Sequence, residues 1–405
     1  MSTRIWQGKE IKNKTVGPGK HYDYTTIQAA LDAIDALGDS AADNMYCITV
    51  APGVYETAID HNVSHTILSS EVPYAAVLQK TGDGGGGAYR IGTDFARVVS
   101  NVWVIGMTIN NQLTGGFGAA GSPPEGALYV GDEANYDTDA NWDCIHLISN
   151  RIEGSHDGLQ VFGHDLATEP GRLFIRGNYI ASCHDAFTVK GSIRGVSNAN
   201  QIHCVASGDL DLLPSANGWK TTGMHFRSDL VSQVSPFGFF DSVGDQIWMD
   251  IDGDVGGSND QDRCTGVLAY NPLTTAQNQL HFTNMRIRID YGQDHSPSNS
   301  LSCVQLDDAN SQTMEFKNLK ARLHQRGTGG SAPATVYGAR VMNASALSKL
   351  RFVDAEFFLQ NDAGGGTTVC FDAEANGEIE YSNIIHNAAT AQAGAGTFTK
   401  LTPMA

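Results

Sequence analysis

The chain has 405 residues, 41% of them hydrophobic and 17% charged, with 26 basic against 44 acidic side chains for a formal net charge of −18. So acidic a balance argues against nucleic-acid phosphates or an anionic membrane surface as the partner, and no stretch approaches the apolar run of a membrane span. The length fits two or three compact domains or one elongated repeat domain, and 45 glycines against 12 prolines favour many turns between short strands.

The acidic excess is uneven. Residues 1–20 hold Arg4, Lys9, Lys12, Lys14 and Lys20 against Glu10, so this basic arm is +4 and the remainder −22. It reads as a solvated, disordered tail or as an arm that docks onto a partner, with Ile5 and Trp6 as apolar anchors in the second case. The opening MSTRIWQGKEIKNKT has no apolar core of a secretion signal. Residues 24–37 predict an amphipathic helix: Thr25 and Gln28 have capping-box spacing, and Ile27, Ala30, Leu31, Ile34 and Leu37 recur on one face. Gly38 ends it. Residues 48–50 then alternate as a buried strand, and residues 51–55 (APGVY) turn the chain. The glycine-rich residues 82–87 lack the Gly-Lys-Ser/Thr ending of a phosphate-binding loop and read as a flexible turn.

From about residue 100 two short strand patterns keep returning. The first is VIGMTI from Val104, LISNRI from Leu147, IRGNYI from Ile175, FTNMRI from Phe282, FKNLKA from Phe316, FVDAEF from Phe352 and YSNIIH from Tyr381. The second often follows a small residue and places Val130, Val161, Val189, Phe226, Ala269, Leu306, Val341 and Phe371 at one marker position. Both patterns give an irregular period of roughly 28 to 43 residues, which fits stacked coils and neither propeller blades nor leucine-rich repeats. Stacking would line equivalent residues up in columns about 4.8 Å apart. On that reading Asn150, Asn178, Asn284, Asn318 and Asn383 sit at corners, where their amides bond neighbouring coils. Residues 112–125, 131–142, 206–222, 232–262, 290–302 and 327–335 are the candidate insertions. Residues 388–405 form a C-terminal tail or a last strand.

Four residues form the sharpest candidate for chemistry. Ser155-His156-Asp157-Gly158 and Cys183-His184-Asp185-Ala186 lie 28 residues apart, so stacking would set Asp157 over Asp185 with His156 and His184 alongside. Two carboxylates that close raise one pKa, which makes a general acid beside a base, as polysaccharide cleavage requires. The alternative is a corner ladder of backbone-bonded Asp with packed His. Asp250, Asp252 and Asp254, in a loop continuing to Asp262, invite calcium but break the EF-hand order, and a solvated acidic loop is the other reading. Calcium is the one cofactor expected, if any. Trp142, Trp219 and Trp248 could stack on sugar rings or pack beneath loops. The seven scattered cysteines read as free thiols, mostly buried in strands.

The helix followed by ITVAPGVY resembles the start of the right-handed parallel β-helix of the pectin lyase-like superfamily, in which the helix plugs the open end of the solenoid. The fold expected is therefore all-β, a single-stranded right-handed parallel β-helix solenoid over residues 21–387 with an N-terminal capping helix. Residues 23–30 and 50–55 look like the N-terminus of pectinesterases. Their Gln-Asp-Thr, Asp-Phe-Ile-Phe-Gly and Leu-Gly-Arg-Pro-Trp segments are absent here, so no catalytic residue carries over. An acidic β-helix without a signal also resembles the tailspikes, fibres and capsid-decorating spikes of tailed bacteriophages. That resemblance implies a homotrimeric virion protein, assembled in the host cytoplasm, that attaches through its basic arm and presents a surface to host glycans. The alternative is a pectin lyase-like polysaccharide-degrading enzyme that uses the Asp157–Asp185 pair.

Overall fold

The structure is a computed structural model. It describes all residues except 1–2, 7–8, 57, 82–86, 95–96, 113–125, 132–141, 155–156, 164–170, 183, 207–218, 228–237, 252–260, 271–277, 293–299, 308–311, 328–334, 345–346, 363–365 and 402–405. The chain winds as a parallel β-helix with three faces. One coil runs through Trp142–Ile148 on the first face, Arg151–Gly154 on the second and Asp157–Phe162 on the third. The next repeats it with Gly171–Arg176, Tyr179–Ser182 and Asp185–Lys190. Each strand pairs in parallel with its equivalent one coil on, as in Leu147↔Ile175, Ile152↔Ile180 and Val161↔Val189.

The first sequence pattern proves to be a corner rather than one strand. Between the first and second faces a single residue takes the left-handed conformation: Gly106, Ser149, Gly177, Ala199, Gly244, Asn284, Asn318, Asp354 and Asn383, with φ from 50° to 74°. Gly, Asn and Asp tolerate that region best, which is why they recur in the motif. The recurring asparagines divide into two columns. Asn284, Asn318 and Asn383 occupy the left-handed position itself and bond along the surface, Asn318 Nδ2 donating to Asn284 Oδ1 at 2.6 Å. Asn150 and Asn178 stand one residue later and point inward, and Asn200 joins them. Asn150 N–H donates to Asn178 Oδ1 (2.8 Å), Asn178 N–H to Asn200 Oδ1 (2.8 Å) and Asn200 N–H to Asp245 Oδ1 (2.7 Å). Asp245 ends this buried ladder, its Oδ2 accepting from Ser197 and Ser242. Burial pushes its carboxyl up, against the pull of these donors.

Two coils escape the sequence pattern. Ile193–Asn198 with Gln201–Ala206, and Gly238–Val243 with Gln246–Ile251, are full first- and second-face pairs, so residues 232–262 are not an insertion throughout. At the last of the expected markers the position is held by Ala373, paired with Val341, rather than by Phe371, which pairs with Ala339.

Inward residues build one continuous core of apolar columns, including Phe282, Phe316 and Phe352 stacked at 4.6 and 5.3 Å. The small residue that precedes the inward marker column in third-face strands has a physical cause. A Cβ on Gly266 would meet Ile287 Cγ2 at 2.6 Å and Cys303 O at 2.7 Å, and one on Gly223 would meet Ile247 Cγ2 at 2.4 Å. Gly266→Val should therefore cost about 2–3 kcal/mol by overpacking, measured as a lower urea midpoint. An unchanged midpoint would show that the second and third faces do not meet so closely.

The helix covers Ile27–Leu37, with Thr26 rather than Thr25 as its N-cap, Thr26 Oγ1 accepting from Ala29 N–H at 3.2 Å, and Gly38 (φ 64°) as its C-cap. Gln28 does not close a capping box. It docks the helix instead, its Oε1 accepting from Asp60 N–H at 2.9 Å. Ile27, Ala30, Leu31 and Ile34 are buried as expected, whereas Leu37 is exposed. Within the basic arm, Lys9–Val16 is a strand parallel to Asn44–Val50 and antiparallel to Thr3–Trp6. The side chains of Ile5 and Trp6 lie outside the described ones. At the other end Thr390–Ala393 and Thr397–Lys400 pair with Thr367–Ala373 and Gly377–His386, so the last strands continue the winding. Among the described residues no helix is long and apolar enough to cross a membrane.

Candidate active site

Strands normally alternate between a buried and a solvated side, but Asp157–Phe162 is buried at every position and Asp185–Lys190 at all but the last. The outward column of this third face is Tyr129, Gln160, Thr188, His225, Leu268, Gln305, Arg340 and Asp372. Polar groups withdrawn from water need partners: Arg340 Nε donates to Asp372 Oδ2 at 2.8 Å, and Gln160 and His225 turn to Asp157 and Asp185.

Asp157 and Asp185 do stack on neighbouring strands of one sheet, Asp185 N–H donating to Asp157 Oδ1 at 3.2 Å. Their histidines come from the following coils. His184 Nδ1 lies 2.9 Å from Asp157 Oδ1 and 3.8 Å from Asp185 Oδ2, and His225 Nδ1 lies 2.7 Å from Asp185 Oδ2. Two Asp–His dyads therefore run across three rungs. Gln160 Nε2 donates to Asp157 Oδ2. Asp157, Asp185 and His225 are nearly sealed, whereas the His184 side chain is 20% exposed and is the member that reaches solvent. Asp185 Oδ1, Gln160 Oε1, Ser182 Oγ, Thr188 Oγ1 and Thr222 Oγ1 are buried without a hydrogen-bond partner among the described residues. Buried polar atoms of this kind need water, an ion or a ligand to satisfy them.

The expected rise in a carboxyl pKa is not what the geometry produces at Asp185. Burial pushes its carboxyl up, but the His184 and His225 imidazoles more than offset that and hold it below the usual carboxylate range. A carboxylate held down in this way favours folding above the ordinary carboxylate range, and that contribution is lost as pH falls through the depressed value. Acid unfolding of the wild type should therefore be steeper below pH ~4 than that of Asp185→Asn, followed by circular dichroism. Parallel acid curves would contradict the pairing.

His156 lies outside the described residues, as do Asp252 and Asp254. Asp250 is exposed and meets Arg326 Nη2 at 3.5 Å. Ligand atoms of Asp157, His184 and Asp185 lie within 4.8 Å of one another, so a mixed nitrogen and oxygen set that could hold a divalent cation sits here. Trp142 is buried, its Nε1 donating to Phe162 O at 2.8 Å, which settles it as a packing residue. Trp248 is exposed, and the side chain of Trp219 is outside the described ones. Cys47, Cys144, Cys204, Cys264, Cys303 and Cys370 are free thiols, and burial pushes that of Cys370 up to about 12. Cys183 is outside the described residues. His225 and Gln160 were not singled out from sequence, although both fall in the third-face repeat and share one outward column with Thr188.

No family profile matches this chain, and no curated protein matches its sequence. Among solved structures it is similar to a pectin methylesterase from carrot (12% identity, 96% of this chain and 88% of that one, TM-score 0.46). An alginate lyase from Paenibacillus (10%, 96% and 98%, 0.44) and the pectin methylesterase PemA from Erwinia chrysanthemi (12%, 96% and 92%, 0.41) are comparable. At that level of agreement they add no argument of their own.

Proposed function

We propose that the chain is a polysaccharide-cleaving enzyme whose acid–base centre is Asp157, His184, Asp185 and His225. The observation that carries this reading is the pair of stacked Asp–His dyads, closed off except at His184 and surrounded by unpartnered oxygens. Asp157 accepts from His184 Nδ1–H, which leaves Nε2 as the proton acceptor and fixes the ring. Asp185 holds His225 in the same way, so a second proton-transfer group stands one rung along. Gln160, Thr188 and Thr222 offer polar atoms to substrate hydroxyls. Of the two functions expected from sequence, these dyads favour the enzyme over the virion spike, although a spike that trims host glycans would carry the same centre.

The test is digestion of polygalacturonate, alginate and neutral glucans by the purified chain. Appearance of reducing ends indicates cleavage, and unsaturated ends distinguish elimination from hydrolysis. His184→Gln and Asp157→Asn should each lower the rate at least about 100-fold at unchanged thermal stability for His184→Gln, whose ring is the least buried. Full activity in both variants, or no product from any of the three classes, would overturn the reading.

A further inference from the structure

The outward side of the second face carries a pattern that the proposed centre does not use. Gln246 and Trp248, Arg286 and Arg288, Lys320 and Arg322, then Glu356 and Phe358 occupy two adjacent columns on four successive rungs. Residues two apart on a strand share a side, so the four cations form a square, flanked within one column by an aromatic ring on the rung before and the rung after. All four cations are exposed, and Trp248 and Phe358 are 43% and 47% exposed. Arg288 meets Asp290 at 2.6 Å and Lys320 meets Glu356 at 3.3 Å, whereas Arg286 and Arg322 have no ion-pair partner among the described residues. Exposed pairs of this kind are weak, so an incoming anion can exchange for them. Asp250 and Asp290 border the square in the next column and keep an anion to the arginine columns.

We propose that this face binds a linear anionic polysaccharide, its acidic groups on Arg286, Arg288, Lys320 and Arg322 and one sugar ring on Trp248. Rungs repeat at about 4.8 Å, which sets the cations in a regular row suited to a polymer with one charge on each sugar. Guanidinium groups take carboxylate or sulfate oxygens two at a time, and the indole offers an apolar plane to the C–H side of a pyranose. The chain's overall −18 disfavours the denser charge of a nucleic acid. This inference concerns binding alone and does not rest on the cleavage proposed above.

Electrophoresis of the intact chain through gels containing polygalacturonate, dextran sulfate or neutral dextran tests it. One or both acidic glycans should retard the protein and dextran should not, and the better retardant tells carboxylate from sulfate. The double change Arg286→Gln and Arg322→Gln should weaken retardation about tenfold, and Trp248→Ala severalfold, with melting temperatures unchanged because these side chains are exposed. Polyglutamate and duplex DNA should be held more weakly and without dependence on Trp248. The proposal is overturned if neither acidic glycan retards the chain, if the variants match the wild type, or if polyglutamate or DNA is held as tightly with the same Trp248 dependence.

Discussion

Asn178→Ala should be among the most destabilising single substitutions in the chain, by about 3–5 kcal/mol. Asn178 Oδ1 accepts from both the backbone N–H and Nδ2 of Asn150, at 2.8 and 3.1 Å, and its own Nδ2 donates to Leu147 O and Asn200 Oδ1, each at 2.9 Å. All of these atoms are buried beneath the corner, so truncation leaves several polar groups facing a cavity that is partly apolar. Each unsatisfied group costs about 1–3 kcal/mol. The surface asparagines provide the contrast. Asn318→Ala should cost only about 1 kcal/mol, chiefly the left-handed backbone, and Asn318→Gly should be close to neutral because glycine is free to take φ 55°. Urea unfolding of the three variants separates the columns, and equal losses at 178 and 318 would refute the division into an inner and an outer ladder.

A second large effect should come from pH, through His61. Its ring is fully buried between Tyr89 and Thr66, and burial lowers its pKa to about 3, only partly countered by a hydrogen bond to the Val63 backbone. In the unfolded chain the same imidazole takes up a proton near pH 6.5. Below that pH the unfolded state binds the proton and the folded state does not, so stability is full above about 6.5 and falls by about 1.4 kcal/mol per unit until about pH 3. The total is on the order of 4–5 kcal/mol. His61→Gln should be less stable than the wild type at neutral pH, and that gap should close as the pH is lowered towards 4. A gap that stays constant across this range would show that His61 is protonated in the folded chain.

The architecture was legible because inward positions on successive coils must all be apolar, and Val130, Val161, Val189, Phe226, Ala269, Leu306 and Val341 do fall in one column. The corner was harder to read. A left-handed residue needs only tolerance of positive φ, and Ala199 meets that need without the Asn or Gly signal, which hid the coil around it. Asp245 hid the next one: an aspartate reads as surface, yet here it accepts the last bonds of a buried ladder. The repeat of His-Asp 28 residues apart pointed to the centre, and the stacking gives Asp157 the histidine of the following coil. His225 stands 41 residues beyond His184, and only strand register brings it beside Asp185.

The most direct test of the account is a crystal structure of the His184→Gln chain soaked with an acidic oligosaccharide. The predicted result is a sugar across Gln160, Thr188 and Thr222 on the third face, with a glycosidic oxygen within hydrogen-bonding reach of position 184 and Asp185 Oδ1 newly bonded. Sugar bound only along Trp248 and the arginine columns, with the two dyads untouched, would contradict the claim that the stacked Asp–His pairs are a reaction centre.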